Sequence, residues 1–170
     1  FHDVVVGATG GARLIRMLSG KTGDEVWTYH TNVVGAGGWV YQVDGSRDFN
    51  GDGIVDVLAC AGDDGEDSGP KRAYCFNGID GELIWQHIVG GPVFGIIAVD
   101  DFTGDGIPDA VAGASNQWET EGLAIGINGS SGQTEWSFET NGSSVWALAQ
   151  IGDINLDGVN DVMIGDFYGE

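Results

Sequence analysis

The chain of 170 residues is built from an internal repeat. Three acidic segments align without gaps, DFNGDGIVD at 48–56, DFTGDGIPD at 101–109 and DINLDGVND at 153–161, and their last aspartates lie 53 and 52 residues apart. Such a period restricts the fold to architectures that stack one supersecondary unit several times, because each unit buries its apolar face against the next.

Two further markers keep the same period. A Gly-x-x-Gly turn with a Trp four residues after its second Gly occurs three times, and these copies end at Trp27, Trp85 and Trp136. An aromatic residue also stands seven positions before each acidic segment: Tyr41, Phe94 and Trp146. Counting back 53 residues from Asp56 leads to Asp3, which we expect to be the last residue of a fourth acidic segment that starts before the chain.

The sequence of each repeat predicts four short strands. In the unit that is covered best, Val, Ile, Trp and Tyr fill the segments 39–46, 54–61, 72–77 and 82–89, and Gly, Asp and Asn separate them. Four antiparallel strands per repeat are typical of a β-propeller blade. A β-sandwich is the alternative all-β fold, although it requires no internal repeat of this length.

We therefore expect an all-β fold of about three blades from a larger β-propeller. The approximate repeats are 1–38, 39–91, 92–142 and 143–170, of which the first and last are incomplete. Propellers close with about four to eight blades. We expect the remaining blades to come from the same polypeptide or from a partner chain that completes the ring.

Composition narrows the range of functions. The chain has 26 acidic and 6 basic residues, a formal net charge of −20, which argues against a nucleic-acid partner because phosphate backbones require a basic surface. No apolar run approaches the roughly 20 residues of a membrane-spanning helix, so we expect no membrane insertion. Six Trp, four Tyr and seven Phe indicate a packed core rather than a disordered chain.

The acidic segments have the residue types and spacing of calcium loops. In the first one, Asp48, Asn50, Asp52 and Asp56 occupy positions 1, 3, 5 and 9, and the backbone carbonyl of Ile54 at position 7 adds a fifth oxygen. A Gly at position 6 permits the sharp turn that brings alternate side chains together. Ca²⁺ prefers such oxygen ligands, whereas the lack of Cys and His in the loops disfavours zinc and copper.

Other interpretations of these segments fit less well. Acidic surface turns would explain one segment, but three sets of closely spaced carboxylates would repel one another without a cation. An EF-hand requires an acidic residue at position 12, where this chain has Ala59, Ala112 and Ile164. We expect the middle site to be the weakest, because Thr103 replaces Asn at position 3.

These loops resemble the calcium loops of FG-GAP and VCBS-type repeats, which occur in integrin α-chain propellers and in many secreted microbial proteins. The resemblance implies about three Ca²⁺ sites, with these ligands: Asp48, Asn50, Asp52, Ile54 carbonyl, Asp56; Asp101, Thr103, Asp105, Ile107 carbonyl, Asp109; Asp153, Asn155, Asp157, Val159 carbonyl and Asp161. The Gly-x-x-Gly-x-x-x-Trp motif is similar to that of quinoprotein-type propeller blades, in which the Trp packs between neighbouring blades. We accordingly expect Trp27, Trp85 and Trp136 in the core.

Cys60 and Cys75 are the two cysteines of the chain. If their strands pair as a hairpin, the sulfurs could face each other on adjacent strands, and a disulfide is favoured over two buried thiols.

The sequence leaves three functions open. The favoured one is a calcium-stabilised extracellular or cell-surface propeller for adhesion, scaffolding or recognition of a protein or glycan ligand, itself without catalytic residues. Alternatively, the chain is part of a secreted enzyme, such as a polysaccharide-degrading propeller, whose catalytic residues lie elsewhere. A quinoprotein-like dehydrogenase is indicated by the Trp motif alone, and the repetition of the acidic loops argues against it.

Overall fold

A computed structural model describes residues 2–33, 38–62 and 69–167 of the chain. Within these ranges the chain forms thirteen β-strands and one 3-10 turn, Thr31–Val33. The strands are β1 Val4–Gly7, β2 Leu14–Leu18, β3 Glu25–His30, β4 Val40–Asp44, β5 Val57–Ala61, β6 Arg72–Phe76, β7 Leu83–Ile88, β8 Val93–Val99, β9 Asp109–Ser115, β10 Gly122–Ile127, β11 Thr134–Glu139, β12 Ser144–Gln150 and β13 Val162–Phe167. Among the described residues, no helix is long and apolar enough to cross a membrane.

The strands form four antiparallel sheets, and within each sheet every strand pairs with the strands next to it in sequence. Sheets β4-β5-β6-β7 and β8-β9-β10-β11 have four strands each, and sheets β1-β2-β3 and β12-β13 have three and two. The prediction of an all-β chain with four-stranded antiparallel units is therefore confirmed. The predicted strand 54–61 begins later than expected, at Val57, because Ile54 and Val55 are half-exposed residues of the acidic loop.

The sheets pack face to face. Strand β5 lies in sheet β4-β7 and has no polar residue, because both of its faces are covered by other sheets. Its residues Val57, Ala59 and Ala61 contact sheet β1-β3, whereas Leu58 and Cys60 contact sheet β8-β11. All five are fully buried, which matches the near-continuous apolar run expected of a strand that is covered on both faces. The two main clusters of the core thus lie on opposite sides of sheet β4-β7.

The two outer sheets are incomplete relative to the central ones. Asp3 precedes β1 as Asp56 precedes β5, so sheet β1-β3 corresponds to the last three strands of a four-stranded unit. Sheet β12-β13 corresponds to the first two strands. The predicted division into repeats at residues 38, 91 and 142 stays a prediction, and the segment 34–37 beside its first boundary lies outside the described residues.

The predicted disulfide is wrong for this structure, because the register separates the two sulfurs. Both cysteines are buried free thiols. Cys75 lies opposite Leu58 and Cys60 lies opposite Ala73, so the two cysteines are diagonal neighbours on one sheet face. Diagonal positions are about 7–8 Å apart, whereas a disulfide requires a Cα separation below about 7 Å. Burial raises the pKa of Cys60 to about 12 and also raises that of Cys75, so both remain protonated.

Candidate metal site

The three acidic loops fold in the same way around the aspartate at position 1. In the middle loop, one carboxylate oxygen of Asp101 accepts the N–H of Gly104 at 2.6 Å and the other accepts the N–H of Gly106 at 2.7 Å. The first and last loops repeat this pair of bonds, with lengths of 2.7–2.9 Å, at Asp48 and Asp153. The loop conformation is therefore set locally, because side-chain oxygens satisfy backbone N–H groups a few residues ahead.

The aspartates at positions 5 and 9 also have equivalent roles in every loop. Each position-5 carboxylate accepts the N–H of position 7 at 2.8–2.9 Å. Each position-9 carboxylate accepts the N–H groups of positions 2 and 3, as Asp109 does from Phe102 at 2.8 Å and from Thr103 at 2.9 Å. The beginning of the nine-residue loop is thereby hydrogen-bonded to its last residue.

In the middle loop, the position-3 side chain lies between the predicted ligands. The hydroxyl of Thr103 lies 3.2 Å from a carboxylate oxygen of Asp101 and 3.4 Å from one of Asp109. The amide nitrogen of Asn128 lies 3.2 Å from the same hydroxyl and 3.0 Å from Asp105. The predicted ligands Asp101, Thr103, Asp105 and Asp109 are thus linked into one polar cluster.

The first and last loops make the corresponding contacts through Asn. The amide nitrogen of Asn155 lies 2.9 Å from Asp157 and 3.4 Å from Asp161. Asn50 reaches Asp56 in the same way at 3.4 Å. In both loops the amide oxygen accepts the N–H of the position-5 aspartate at 2.9 Å. The structure thus places an N–H donor against the carboxylates that the sequence predicts to hold a cation.

No three His, Cys, Asp or Glu side chains of the described residues form a metal-binding group. The predicted ligand set relies on more than carboxylates, since it includes Asn50, Thr103 and Asn155 and three backbone carbonyls. The fifteen ligands therefore stay a prediction. What the structure adds is the equivalence of the three loops, which the gapless sequence alignment alone could only suggest.

The surroundings of the carboxylates shift their pKa values in opposite directions. The N–H group of Gly106 holds the pKa of Asp101 below its ordinary value, and the hydroxyl of Ser130 does so for Asp105. Burial raises the pKa of Asp56 in spite of hydrogen bonds from backbone N–H groups, and the charges of Asp52 and Asp48 raise it further. The first loop thus contains a buried carboxylate that is destabilised by its acidic neighbours.

The last loop carries a backbone strain that sequence analysis missed. Position 4 has a positive φ in every loop, +77° at Gly51 and +80° at Gly104. Leu156 occupies this position in the last loop with a φ of +65°, and its side chain is 86 % exposed. A left-handed conformation costs a non-Gly residue about 1–2 kcal/mol. The alignment could have revealed this feature, since Leu replaces Gly at an otherwise glycine position.

A glycine of the Gly-x-x-Gly turn connects the first and middle loops to their own sheets. The second carboxylate oxygen of Asp56 accepts the N–H of Gly78 at 3.0 Å, and that of Asp109 accepts the N–H of Gly129 at 2.8 Å. Asp3 accepts the N–H of Gly20 at 2.9 Å, which supports its assignment as position 9 of a fourth loop. Sequence analysis found both motifs but not this bond between them.

The carbonyl groups of the same glycines accept a hydrogen bond from a Trp of the neighbouring sheet. The indole N–H of Trp27 donates to the carbonyl of Gly78 at 3.1 Å, and that of Trp85 donates to Gly129 at 2.7 Å. Both indoles are buried. One glycine residue is thus hydrogen-bonded through its N–H to the loop aspartate of its own sheet and through its C=O to the Trp of the preceding sheet, so the acidic loops lie directly at the contacts between sheets.

Trp136 departs from the expected core position. It is 38 % exposed, whereas Trp27 and Trp85 are 7 % and 6 % exposed. The difference has a physical reason, because sheet β12-β13 contains no described Gly-x-x-Gly turn against which Trp136 could pack.

The second glycine of the turn provides a test of Trp packing. A Cβ at Gly132 would lie 2.9 Å from Cβ and Cγ of Trp85, whereas a Cβ at Gly23 would meet nothing within 4 Å. Both glycines have a φ near +75°, at +71° and +77°. We expect Gly132→Ala to reduce the free energy of unfolding by about 2–4 kcal/mol and the control Gly23→Ala by about 1 kcal/mol. Equal losses in urea denaturation would contradict the packing role.

Further contacts between sheets involve β4, β8 and β12, the first strands of their sheets. The aromatic markers converge, with ring centroids of Phe94 and Trp146 4.3 Å apart and stacked, and with Tyr41 at 5.1 Å from Phe94. Asp100, directly before the middle loop, accepts hydrogen bonds of 2.7–2.8 Å from three residues of the adjacent units: Arg47, Gln150 and Asn160. These bonds, the one from Asn160 first, hold the pKa of Asp100 below its ordinary value.

No protein-family model matches the sequence, and no curated protein matches it. The structure is similar to BBS1N, solved in complex with ARL6DN, with a TM-score of 0.55 and 13% identity over 95% of this chain. BBS1N is β-propeller-like. The chain has a propeller-like fold. It is also similar to the biofilm matrix protein Bap1 of V. cholerae, with a TM-score of 0.51 and 15% identity over 88% of this chain. This chain spans 40% of the length of BBS1N and 22% of that of Bap1.

Proposed function

We propose that this chain is about three blades of a larger β-propeller of the FG-GAP type, which calcium stabilises at three acidic loops. The module acts outside the cell in adhesion, scaffolding or the recognition of a protein or glycan, and it contributes no catalytic residues. The observation that carries the proposal is the repeated loop geometry, in which three carboxylates and the side chain of an Asn or Thr occupy equivalent places three times.

The charge of the loops supports a cation. Each loop holds three aspartates, and none of the nine carboxylates forms an ion pair with Lys or Arg among the described residues. Burial, together with the charges of Asp52 and Asp48, raises the pKa of Asp56, so a divalent cation in the first loop would stabilise the ionised form of this carboxylate. The donors are all oxygens, which suits calcium better than zinc or copper.

The donor set also fits the number of ligands that calcium requires. In the first loop Asp48, Asn50, Asp52, Asp56 and the carbonyl of Ile54 would hold the ion, and the other loops would use the equivalent residues. Five protein oxygens, one bidentate carboxylate and water would complete the six to eight ligands that Ca²⁺ takes. Calcium would neutralise the charge of the carboxylates and stabilise the fold, and it would have a structural rather than a catalytic role.

Calcium sites of the proposed kind support an extracellular location. Extracellular modules bind calcium with dissociation constants of about 10⁻⁴–10⁻³ M, and such weak sites fill where calcium is millimolar. The acidic surface is compatible with that environment and disfavours nucleic acid. The buried free thiols are equally compatible with it, because neither is exposed to an oxidant.

Calorimetric titration with calcium tests the proposal. We expect about three sites, of which the middle one is the weakest because Thr103 offers a hydroxyl where the other loops offer an amide oxygen. Thr103→Asn should tighten that site about fivefold, the value of roughly one added ligand contact. Leu156→Gly is the matched control in the last loop, since it should relieve strain without adding a ligand. A chain that takes up no calcium, or a Thr103→Asn variant that binds it more weakly, would contradict the assignment.

A further inference from the structure

Four Asn-Gly dipeptides occur in the chain, at Asn50, Asn77, Asn128 and Asn141. In such a pair the peptide nitrogen of the glycine can attack the side-chain carbonyl carbon of the Asn, because glycine has no Cβ that hinders the approach. The attack requires an Asn side chain that is free to rotate and a glycine N–H that is only weakly hydrogen-bonded. The fold therefore decides which of the four pairs can react.

Three of the pairs are fixed by hydrogen bonds at both groups. In each of them the glycine N–H donates to an aspartate carboxylate of an acidic loop at 2.7–3.0 Å. The amide oxygen accepts the N–H of the second residue ahead, at 2.9 Å for Asn50, 2.7 Å for Asn77 and 3.1 Å for Asn128. The amide nitrogens of all three also lie within 3.5 Å of a carboxylate. These side chains cannot turn toward the glycine nitrogen unless the local structure opens.

The fourth pair, Asn141-Gly142, lies in the bend between β11 and β12. Asn141 is exposed, and its side chain makes no hydrogen bond within the described part of the chain. The N–H of Gly142 is divided between the hydroxyl of Thr140 at 3.2 Å and the carboxylate of Asp166 at 3.1 Å, which are the longest such bonds among the four pairs. Asn141 is thus the one Asn of the four whose side chain is free to reach its glycine.

We propose that Asn141 is a site of self-modification, at which the side-chain amide is exchanged for a carboxylate with water as the co-reactant. The nitrogen of Gly142 loses its proton to a base such as hydroxide and bonds to Cγ of Asn141. The bond from Cγ to Nδ2 breaks, Nδ2 takes up a proton and leaves as ammonia, and a succinimide ring remains. Water then adds to one ring carbonyl carbon and breaks its bond to the ring nitrogen, which regains a proton. One water is consumed and one ammonia is released, without oxidation or reduction.

The product alters the connection between two sheets. Ring opening yields either Asp or isoaspartate, and in isoaspartate the backbone runs through Cβ and Cγ and is longer by one carbon. That carbon is inserted between Thr140 and Gly142, which both form backbone hydrogen bonds with Gly122 of β10. Both products also add a negative charge next to Gly142, whose N–H contacts Asp166. Isoaspartate therefore loosens the attachment of the β11-β12 connection to β10, and no calcium site is involved.

Incubation of the folded chain at mildly alkaline pH, followed by peptide mapping with mass spectrometry, measures the four rates together. Asn141 should react at least about tenfold faster than Asn50, Asn77 or Asn128, because two or more hydrogen bonds must open before those residues can react. In urea, where the fold is lost, the four rates should become similar. Asn141→Gln should abolish the fast reaction without a change in stability, since its ring would need an additional atom and the side chain is exposed.

Hydrogen exchange tests the structural consequence. In the isolated isoaspartate form the N–H of Gly122 should exchange about tenfold faster, as expected when its hydrogen bond is weakened. Asn141→Asp is the matched control, since it adds the charge without the extra carbon and should leave this exchange unchanged. Equal rates at Asn141 and at any other pair in the folded chain, or a difference that persists in urea, would overturn the proposal. So would an isoaspartate form in which Gly122 exchanges as it does in the parent chain.

Discussion

Removing calcium with a chelator is expected to lower the melting temperature of this chain strongly. A ligand that binds only the folded state stabilises it by about 2.7 kcal/mol per site at a hundredfold excess over its Kd. For a chain of this size that corresponds to about 5–10 °C for each filled site, and three equivalent sites would add if they bind independently. Calorimetric melting curves in calcium and in chelator measure the difference.

Magnesium at equal ionic strength is the control for this experiment. Mg²⁺ demands a tighter octahedral site and keeps more of its water, so it should restore little of the lost stability. Restoration by magnesium would identify the loops as unselective acidic sites. A melting curve that is identical in calcium and in chelator would contradict the metal assignment itself.

Asp109→Ala is expected to destabilise the chain by about 3–5 kcal/mol even in chelator, because the carboxylate is structural as well as a predicted ligand. Asp109 is fully buried, and its oxygens accept three backbone N–H groups: Phe102, Thr103 and Gly129. Their loss would open the middle loop and release the glycine that Trp85 holds. Urea denaturation measures the change in the free energy of unfolding.

Two control variants test whether the loss of stability is specific to Asp109→Ala. Glu135→Ala, on the exposed strand β11, should change stability by no more than about 0.5 kcal/mol. Asp105→Ala removes an exposed predicted ligand of the same loop, so its cost should be smaller than that of Asp109→Ala in chelator and should grow when calcium is present. If Asp109→Ala costs less than Asp105→Ala in chelator, the structural role of the position-9 carboxylate is wrong.

Much of the loop geometry could be predicted from the sequence because it is local. The positions of Asp48, Asn50 and Asp52 determine which backbone N–H groups lie within reach of their side chains, and these backbone partners are within a few residues. The four short strands per repeat followed from apolar runs separated by glycine and aspartate. Even the role of Asp3 could be predicted from the repeat alone, and its bond to Gly20 agrees with it.

Other features depended on partners that are distant in sequence. The two cysteines are near enough in sequence to suggest a disulfide, but strand register places Cys75 opposite Leu58 instead of Cys60. Trp27, Trp85 and Trp136 have the same motif, yet their burial differs because a Trp is covered only where the next sheet supplies a Gly-x-x-Gly turn. No pattern within one repeat contains that information.

The sequence by itself therefore determined the repeated unit and the conformation of its acidic loops, since short-range hydrogen bonds decide both. The tertiary structure decided how the units are joined: one glycine residue, Gly78 or Gly129, binds the aspartate of its own sheet through its N–H and the Trp of the preceding sheet through its C=O. Such a contact exists only after two sheets have packed face to face, because its groups lie 20–51 residues apart in the chain and meet through burial rather than through local geometry.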